Sequence, residues 1–342
     1  MKKDKIIIML NQQMPKGISF EEWETLWMAE LKAAGLAYEY EIVEDDGTFI
    51  GQKLDDLAGN AAAVIGMVIR EGMLDRAFFE KHRELKYIGT LSHGYAPLDQ
   101  SLLHEFGVTV TNTAYGSNTV AQYTFSMLLD ICNGISENNQ YLKNEYWKDQ
   151  YRGCATAYTY SVNKQIELMD KTIGIIGMGT IGYEVAKIAN GFGMHIMSYS
   201  TTRKEGDQYQ YICQTDRKTL LSRSDVISLN CPLNEKTKDI ICKETIQQMK
   251  DGVIIINTAR GGLIKEDDLN EALYNRKVYA AGLDVLCGEP LLKPGPLLMN
   301  PYAKITGHIA WMTPESCIRM AKLGIQHFVD YLQKKPTGVI GR

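Results

Sequence analysis

The sequence predicts an α/β protein built on a doubly wound, parallel β-sheet, and three observations predict it. First, short apolar runs rich in β-branched residues recur with helical or loop sequence between them: TIGII (172–176), HIMSY (195–199), VISLN (226–230), VIIIN (253–257), YAAGLDV (279–285) and KITGHI (304–309). Runs that are apolar on both faces belong to buried parallel strands, and parallel neighbours require a crossover between them. Second, Gly177, Gly179 and Gly182 form GxGxxG between the first two runs, and Ile181, Val185 and Ile188 give the following segment a helical apolar face. Third, the first third of the chain repeats the alternation: KIIIML (5–10), FEEWETLWMAELKAAG (20–35), YEYEIV (38–43), AAAVIGMVI (61–69), YIGTL (87–91) and VTVTN (108–112).

The 342 residues suffice for two domains. With 45% hydrophobic residues, 23% charged residues and a net charge of −4, the chain has no general electrostatic drive toward nucleic acid or an anionic membrane, so a small-molecule partner is expected. Ile6 to Leu10 is shorter than the ~7–15 apolar residues of a secretory signal, and no run approaches the ~18 of a membrane span, so the expected location is cytoplasmic. Seven cysteines without a CxxC fit reduced thiols rather than a disulfide framework, and no metal is expected.

Two long helices complete the pattern. From a cap at Ser117 or Asn118, residues Ala121, Phe125, Leu128, Cys132 and Ile135 fall on one face over 118–135, a face that packs inside one subunit or against a symmetry mate. TPES starts a terminal helix with Thr313 as cap and Pro314 at its first position, placing Ile318, Ala321, Ile325, Phe328 and Leu332 on one face.

A strand, GxGxxG, a helix and a second strand in succession form a dinucleotide site. Gly177 permits the tight turn, Gly179 lets the pyrophosphate approach, and Gly182 lets helix and strand pack closely. The acid that usually accepts the ribose hydroxyls is missing: SYSTTRK (198–204) places Ser200 eighteen residues after Gly182. Ser200 removes repulsion toward a 2′-phosphate, Thr201 and Thr202 offer hydroxyls, and Arg203 and Lys204 offer charge, so NADP(H) is expected over NAD(H).

In open parallel sheets, ligands lie beyond the carboxyl ends of the strands. Arg260 follows VIIIN in NTARGGLI, Glu289 follows YAAGLDV in LCGEP, and His308 opens HIAWMTPES. In these segments, and in YGSNTVAQYTF and NKQIELMDKTIGIIG, the sequence resembles the D-isomer-specific 2-hydroxyacid dehydrogenase family over most of residues 85–342. HIAW and YGSNTVAQYTF look most like its glycerate dehydrogenase and hydroxypyruvate reductase (glyoxylate reductase) branch.

The resemblance implies that Arg260 binds the substrate carboxylate and polarises its carbonyl, that His308 is the acid–base, and that Glu289 orients His308 and favours its protonated form. It extends the cofactor set to Thr180, Ile181, Pro232, Thr258 and Asp284, the last near the nicotinamide carboxamide, and adds His93 and Gly94 to the substrate site. Three departures are visible. SHGYAPLD has Ala96 and Pro97 where the family commonly shows asparagine after Gly-Tyr, and Asn230 precedes Cys-Pro where relatives often have histidine. NADPH-using relatives often carry arginine directly after the Ser200 position, where this chain has Thr201.

The implied architecture is a Rossmann-type domain over 114–310, inserted in a smaller flavodoxin-like substrate domain formed by 1–113 and 311–342, with the substrate in the cleft between them. The implied activity is NAD(P)-dependent interconversion of a short 2-keto acid, such as hydroxypyruvate or glyoxylate, and its D-2-hydroxy acid by a homodimer. The alternatives are a D-lactate or phosphoglycerate type of dehydrogenase, or a dinucleotide-sensing, corepressor-like scaffold of the same fold.

Overall fold

Local sequence signals start the helices and burial fixes their faces. In the computed structural model, which describes residues 5–11, 19–35, 39–45, 59, 61–66, 74–94, 99–148, 153–154, 158, 161–289 and 291–340, the first element is β1 (Lys5–Asn11). Helix α1 (Phe20–Ala33) begins with a capping box in which Ser19 Oγ accepts from the Glu22 amide at 3.1 Å and Glu22 accepts from the Ser19 amide at 2.6 Å. Trp23, Trp27 and Leu31, spaced four apart, are its buried side chains. Strands β2 (Glu39–Asp45) and β3 (Ala61–Gly66), helix α2 (Arg76–Lys81), strand β4 (Tyr87–Thr90), helix α3 (Gln100–Phe106) and strand β5 (Thr109–Asn112) follow.

Next come α4 (Ser117–Asn133), α5 (Ile135–Asn144), β6 (Thr172–Ile176), α6 (Thr180–Gly191), β7 (His195–Tyr199), β8 (Ile212–Gln214), α7 (Arg217–Arg223) and β9 (Val226–Leu229). The remaining elements are α8 (Lys243–Gln247), β10 (Val253–Asn257), α9 (Glu266–Tyr274), β11 (Val278–Leu283), β12 (Ala303–Ile305) and α10 (Pro314–Leu332). Residues 117–311 form one compact unit; residues 1–116 and 312–342 together form a second.

In the discontinuous unit, five parallel strands lie in the order β2-β1-β3-β4-β5. Helix α10 packs on α1 and β4: a Cβ on Gly324 would meet Leu91 Cδ2 at 2.4 Å, and the Phe328 and Tyr87 rings lie 5.0 Å apart. The helix is capped by Thr313 as its sequence predicts, but its buried stripe is centred elsewhere. Cys317, Met320, Ala321, Ile325 and Phe328 are buried, Ile318 is exposed and Leu332 only half-buried.

In the 117–311 unit, seven parallel strands lie in the order β12-β11-β10-β9-β6-β7-β8, a doubly wound sheet whose strand order reverses between β6 and β9. Alternate residues of β10 serve opposite faces. Val253 and Ile255 enter one apolar cluster, and Ile254 and Ile256 enter the other with α4 and α6, so an uninterrupted apolar run is what this position demands.

Three sequence expectations need correction. The helix expected over 118–135 stops at Asn133, because Gly134 takes the left-handed conformation (φ 59°); Ile135 starts α5 and is 62% exposed. Of the two settings left open for the face of Ala121, Phe125, Leu128 and Cys132, burial within its own unit is the one found, with Phe125 stacked on Phe192 at 5.4 Å. KITGHI is a strand only to Ile305, which leaves His308 in the loop beyond it, and strand β8 fills a stretch without a strand signal.

Candidate active site

Three strand ends converge at Arg260, Glu289 and His308. Beyond β10, the side chain of fully buried Asn257 braces the turn from both sides: its Nδ2 donates to the Arg260 carbonyl at 2.9 Å and its Oδ1 accepts from the Ala259 amide at 3.0 Å. A Cβ on Gly261 would lie 2.1 Å from the Leu286 carbonyl, so only glycine lets the Arg260 turn lie against the loop that carries Glu289. Half-buried Arg260 donates through Nη1 to the Ala259 carbonyl at 2.7 Å.

Glu289 is fixed at both oxygens. Oε1 accepts from the Leu286 amide at 2.7 Å, and Oε2 lies 2.7 Å from His308 Nδ1. Burial by itself would raise this carboxyl, but the hydrogen bonds from His308 and Leu286 and the positive charges of His308 and Arg260 outweigh it and hold the group below its ordinary range. With Nδ1 committed to Glu289, Nε2 is the ring nitrogen left to exchange a proton.

His308 has φ 58°, a conformation that costs a side-chain-bearing residue about 1–2 kcal/mol. Asp284, fully buried at the end of β11, holds the loop there. Its Oδ1 accepts from Thr306 Oγ1 at 2.6 Å and the Ile309 amide at 2.9 Å, its Oδ2 accepts from the Ala310 amide at 2.8 Å, and its carbonyl accepts from the His308 amide at 2.7 Å. Trp311 Nε1 donates to the His308 carbonyl at 2.9 Å. No sequence signal singled out Asn257 or Thr306, since their roles depend on partners set by the tertiary fold.

The glycine turn lies at the switch point between β6 and β9. Gly177 has φ 100°, and a Cβ there would sit 2.6 Å from Asn230 backbone atoms; one on Gly182 would sit 2.1 Å from the Gly177 carbonyl. A Cβ on Gly179 would meet nothing within 4 Å, and this residue caps α6 without any side-chain hydrogen bond, which leaves the first amides of Thr180 and Ile181 for an anion. These features fit a dinucleotide pyrophosphate.

The Gly177 amide donates to the Tyr199 carbonyl at 2.8 Å, which ties this turn to the end of β7 and to half-buried Ser200. Thr201, Thr202 and Arg203 are exposed, and Lys204 is half-buried. Pro232 lies exposed beyond β9, its carbonyl accepting from Thr237 Oγ1 at 2.6 Å. Thr258 is buried and shares a 3.0 Å hydrogen bond with Thr124.

In the other unit, His93 and Gly94 follow β4, and Asn112 Nδ2 donates to the His93 carbonyl at 2.8 Å. Ala96 and Pro97 lie outside the described residues. Among the described residues, no cluster of three or more His, Cys, Asp or Glu could hold a metal, and no helix is long and apolar enough to cross a membrane.

The D-isomer specific 2-hydroxyacid dehydrogenase NAD-binding domain matches residues 125–310, which include the glycine turn, Arg260, Glu289 and His308. The chain belongs to this dehydrogenase family. It is 37% identical over 270 residues to a hydroxypyruvate reductase of Blautia hydrogenotrophica, covering 79% of this chain and 82% of the relative. It is 32% identical over 281 residues to glyoxylate/hydroxypyruvate reductase B of Serratia proteamaculans, covering 81% and 84%. Among solved structures, an acyclic imino acid reductase in complex with NADPH and D-Arg superposes with a TM-score of 0.82 at 26% identity, covering 98% of this chain and 100% of the other. As a member of this family, the dehydrogenase is an oxidoreductase that uses a nicotinamide dinucleotide.

Proposed function

We propose that the enzyme reduces a short 2-keto acid of the hydroxypyruvate or glyoxylate kind to its D-2-hydroxy acid, with NADPH as the preferred reductant. The observation that carries the keto-acid reduction is the Nδ1 to Oε2 pair of His308 and Glu289 at 2.7 Å, beside the Arg260 turn that Gly261 seats against the Glu289 loop. A nicotinamide dinucleotide held at the glycine turn would supply the hydride for the carbonyl carbon. Arg260 presents a planar, two-pronged donor to the substrate carboxylate and draws electron density from the adjacent carbonyl. His308 delivers a proton from Nε2 to the carbonyl oxygen, and Glu289 holds the imidazole at Nδ1 and offsets its charge before transfer. In the oxidative direction Nε2 takes the hydroxyl proton back.

The discontinuous unit is assigned the substrate-binding role, with the backbone around His93 and Gly94 as carboxylate donors, and the 117–311 unit the cofactor role. Gly177, Gly179, Thr180 and Ile181 would hold the pyrophosphate, Ser200, Thr201, Arg203 and Lys204 the adenosine ribose and its 2′-phosphate, and Pro232 and Thr258 would lie along the path toward the nicotinamide, while Asp284, fully buried with both oxygens engaged by the His308 loop, would serve that end of the site through the loop it holds. A cytoplasmic location suits the seven unpaired cysteines. A homodimer is the assembly expected of the family, and the exposed Ile135 and Trp147, beyond the end of α4, offer it apolar surface. Light scattering at micromolar concentration tests that assembly, and a monomer mass rejects it.

The deciding experiment follows NADPH and NADH oxidation with hydroxypyruvate, glyoxylate, pyruvate and 3-phosphohydroxypyruvate. The expected result is the highest kcat/KM with one of the first two. Tight dinucleotide binding without turnover of any of them would overturn the proposal and favour a sensing scaffold.

A further inference from the structure

We propose that Gln214 is a positioning residue for cofactor choice: its amide sets the loop that reads the 2′-position of the adenosine ribose. The inference rests on the assignment of that loop to the 2′-phosphate. Gln214 is the last residue of β8 and pairs in parallel register with Ser198 on β7, so it lies at the carboxyl edge of the sheet, where ligands bind. Its half-buried side chain makes two hydrogen bonds to one residue. Oε1 accepts from the Lys204 amide at 2.7 Å, and Nε2 donates to the Lys204 carbonyl at 2.7 Å. The amide thus replaces a strand pairing that the chain lacks at this point, beside the Thr215 amide, which donates to the Ser198 carbonyl at 2.9 Å.

The loop from Ser200 to Lys204 is therefore held at both ends. Upstream, the Tyr199 carbonyl accepts from Gly177 of the glycine turn; downstream, Gln214 grips Lys204. Between these anchors, Thr201, Thr202 and Arg203 are exposed, so the backbone determines where their donors can reach. Only a side chain with both a donor and an acceptor at the right length satisfies both groups of Lys204, and glutamine is such a residue. Asparagine is one methylene short, and methionine matches the length but can donate nothing. Without the grip, the loop samples more conformations, and ordering it around a phosphate costs affinity.

Adenosine 2′,5′-bisphosphate and 5′-AMP differ only in the 2′-phosphate, and their dissociation constants can be measured by calorimetry on the wild type, Gln214→Met and Gln214→Asn. In the wild type the bisphosphate binds more tightly, and in both variants that preference falls about tenfold, or roughly 1.4 kcal/mol. The neutral substitutions change no charge, and 5′-AMP binding reports that the site is still folded. If both nucleotides weaken equally so that the preference is kept, or if neither weakens, Gln214 has no selective role and the inference is overturned. A wild type that binds the two nucleotides equally overturns the phosphate assignment itself, and this inference with it.

Discussion

Replacing Asp284 with alanine tests how the loop that carries His308 is held. The carboxylate takes three hydrogen bonds, from Thr306 Oγ1 and the Ile309 and Ala310 amides, and is completely buried. Ala310 is 2% exposed, so its amide has no ready access to water, whereas Ile309 is 39% exposed and can be hydrated. Counting about 1.5–3 kcal/mol for each hydrogen bond to a charged group, and one or two of the three donors left unsatisfied, Asp284→Ala should destabilise the fold by about 1.5–6 kcal/mol. The strained φ of 58° at His308 then loses its main restraint, and the imidazole leaves Glu289. Urea unfolding should show the loss of stability, and steady-state kinetics a fall in kcat of roughly 100-fold, with cofactor affinity changed by less than about tenfold. Stability within about 0.5 kcal/mol of wild type together with an unchanged kcat would refute the reasoning. A defect confined to cofactor affinity would show instead that Asp284 serves the nicotinamide directly.

Arg260→Ala should lower kcat/KM for the keto acid by roughly 100-fold or more while leaving the cofactor dissociation constant nearly unchanged, and parallel losses in both would remove Arg260 from the substrate site. In Glu289→Gln the amide supplies no charge to offset a protonated imidazole, so the rate of reduction should fall off at lower pH than in wild type; superimposable pH–rate profiles would dismiss the pair. On the acid side the sign is opposite. Glu289, held below its ordinary range, remains a carboxylate at neutral and mildly acidic pH, and the stability it contributes is lost only as pH falls through its lowered pKa, an effect visible as a steeper acid unfolding curve in wild type than in the variant. Ser200→Asp combined with Arg203→Ala should shift preference toward NADH, as read from kcat/KM with both cofactors, and a wild type already favouring NADH by about tenfold would show that the missing acid confers no phosphate recognition.

Much of the 117–311 unit is legible in the sequence because its signals are local. VIIIN is apolar on both faces because both faces are buried, and GxGxxG stands between a strand and a helix, where it must. Arg260 and Glu289 could be picked out because each follows a strand-like run in a parallel sheet, and His308 because it stands near the end of one; the family resemblance supplied their roles. The features that escape notice are non-local. Strand β8 has three residues, too few for an alternation to register, and Cys213 at its centre is exposed. The end of α4 depends on Gly134 turning left-handed with Asn163 packed at its Cα, a neighbour 29 positions away. On α10, Ala321, Ile325 and Phe328 are buried as the spacing predicts, but Ile318 is left outside a stripe that also takes in Cys317, Met320 and Gly324, the last seated against Leu91 and Trp27. Gln214 and Asn257 look like ordinary polar residues until the backbone groups they satisfy are brought to them.

The division of one compact unit between residues 1–116 and 312–342 has a consequence for the order of biogenesis. Strands β1 to β5 leave the ribosome first, but α10, which covers Trp27 and the Tyr87 end of their sheet, is completed about 200 residues later. At roughly 5–20 residues per second, that interval is on the order of 10–40 s, far longer than a helix or hairpin needs to form. The continuous 117–311 segment can meanwhile close on its own contacts. The earlier segment waits with α1's tryptophan face uncovered, a nascent-chain surface of the kind chaperones bind, so the half begun first is the half finished last.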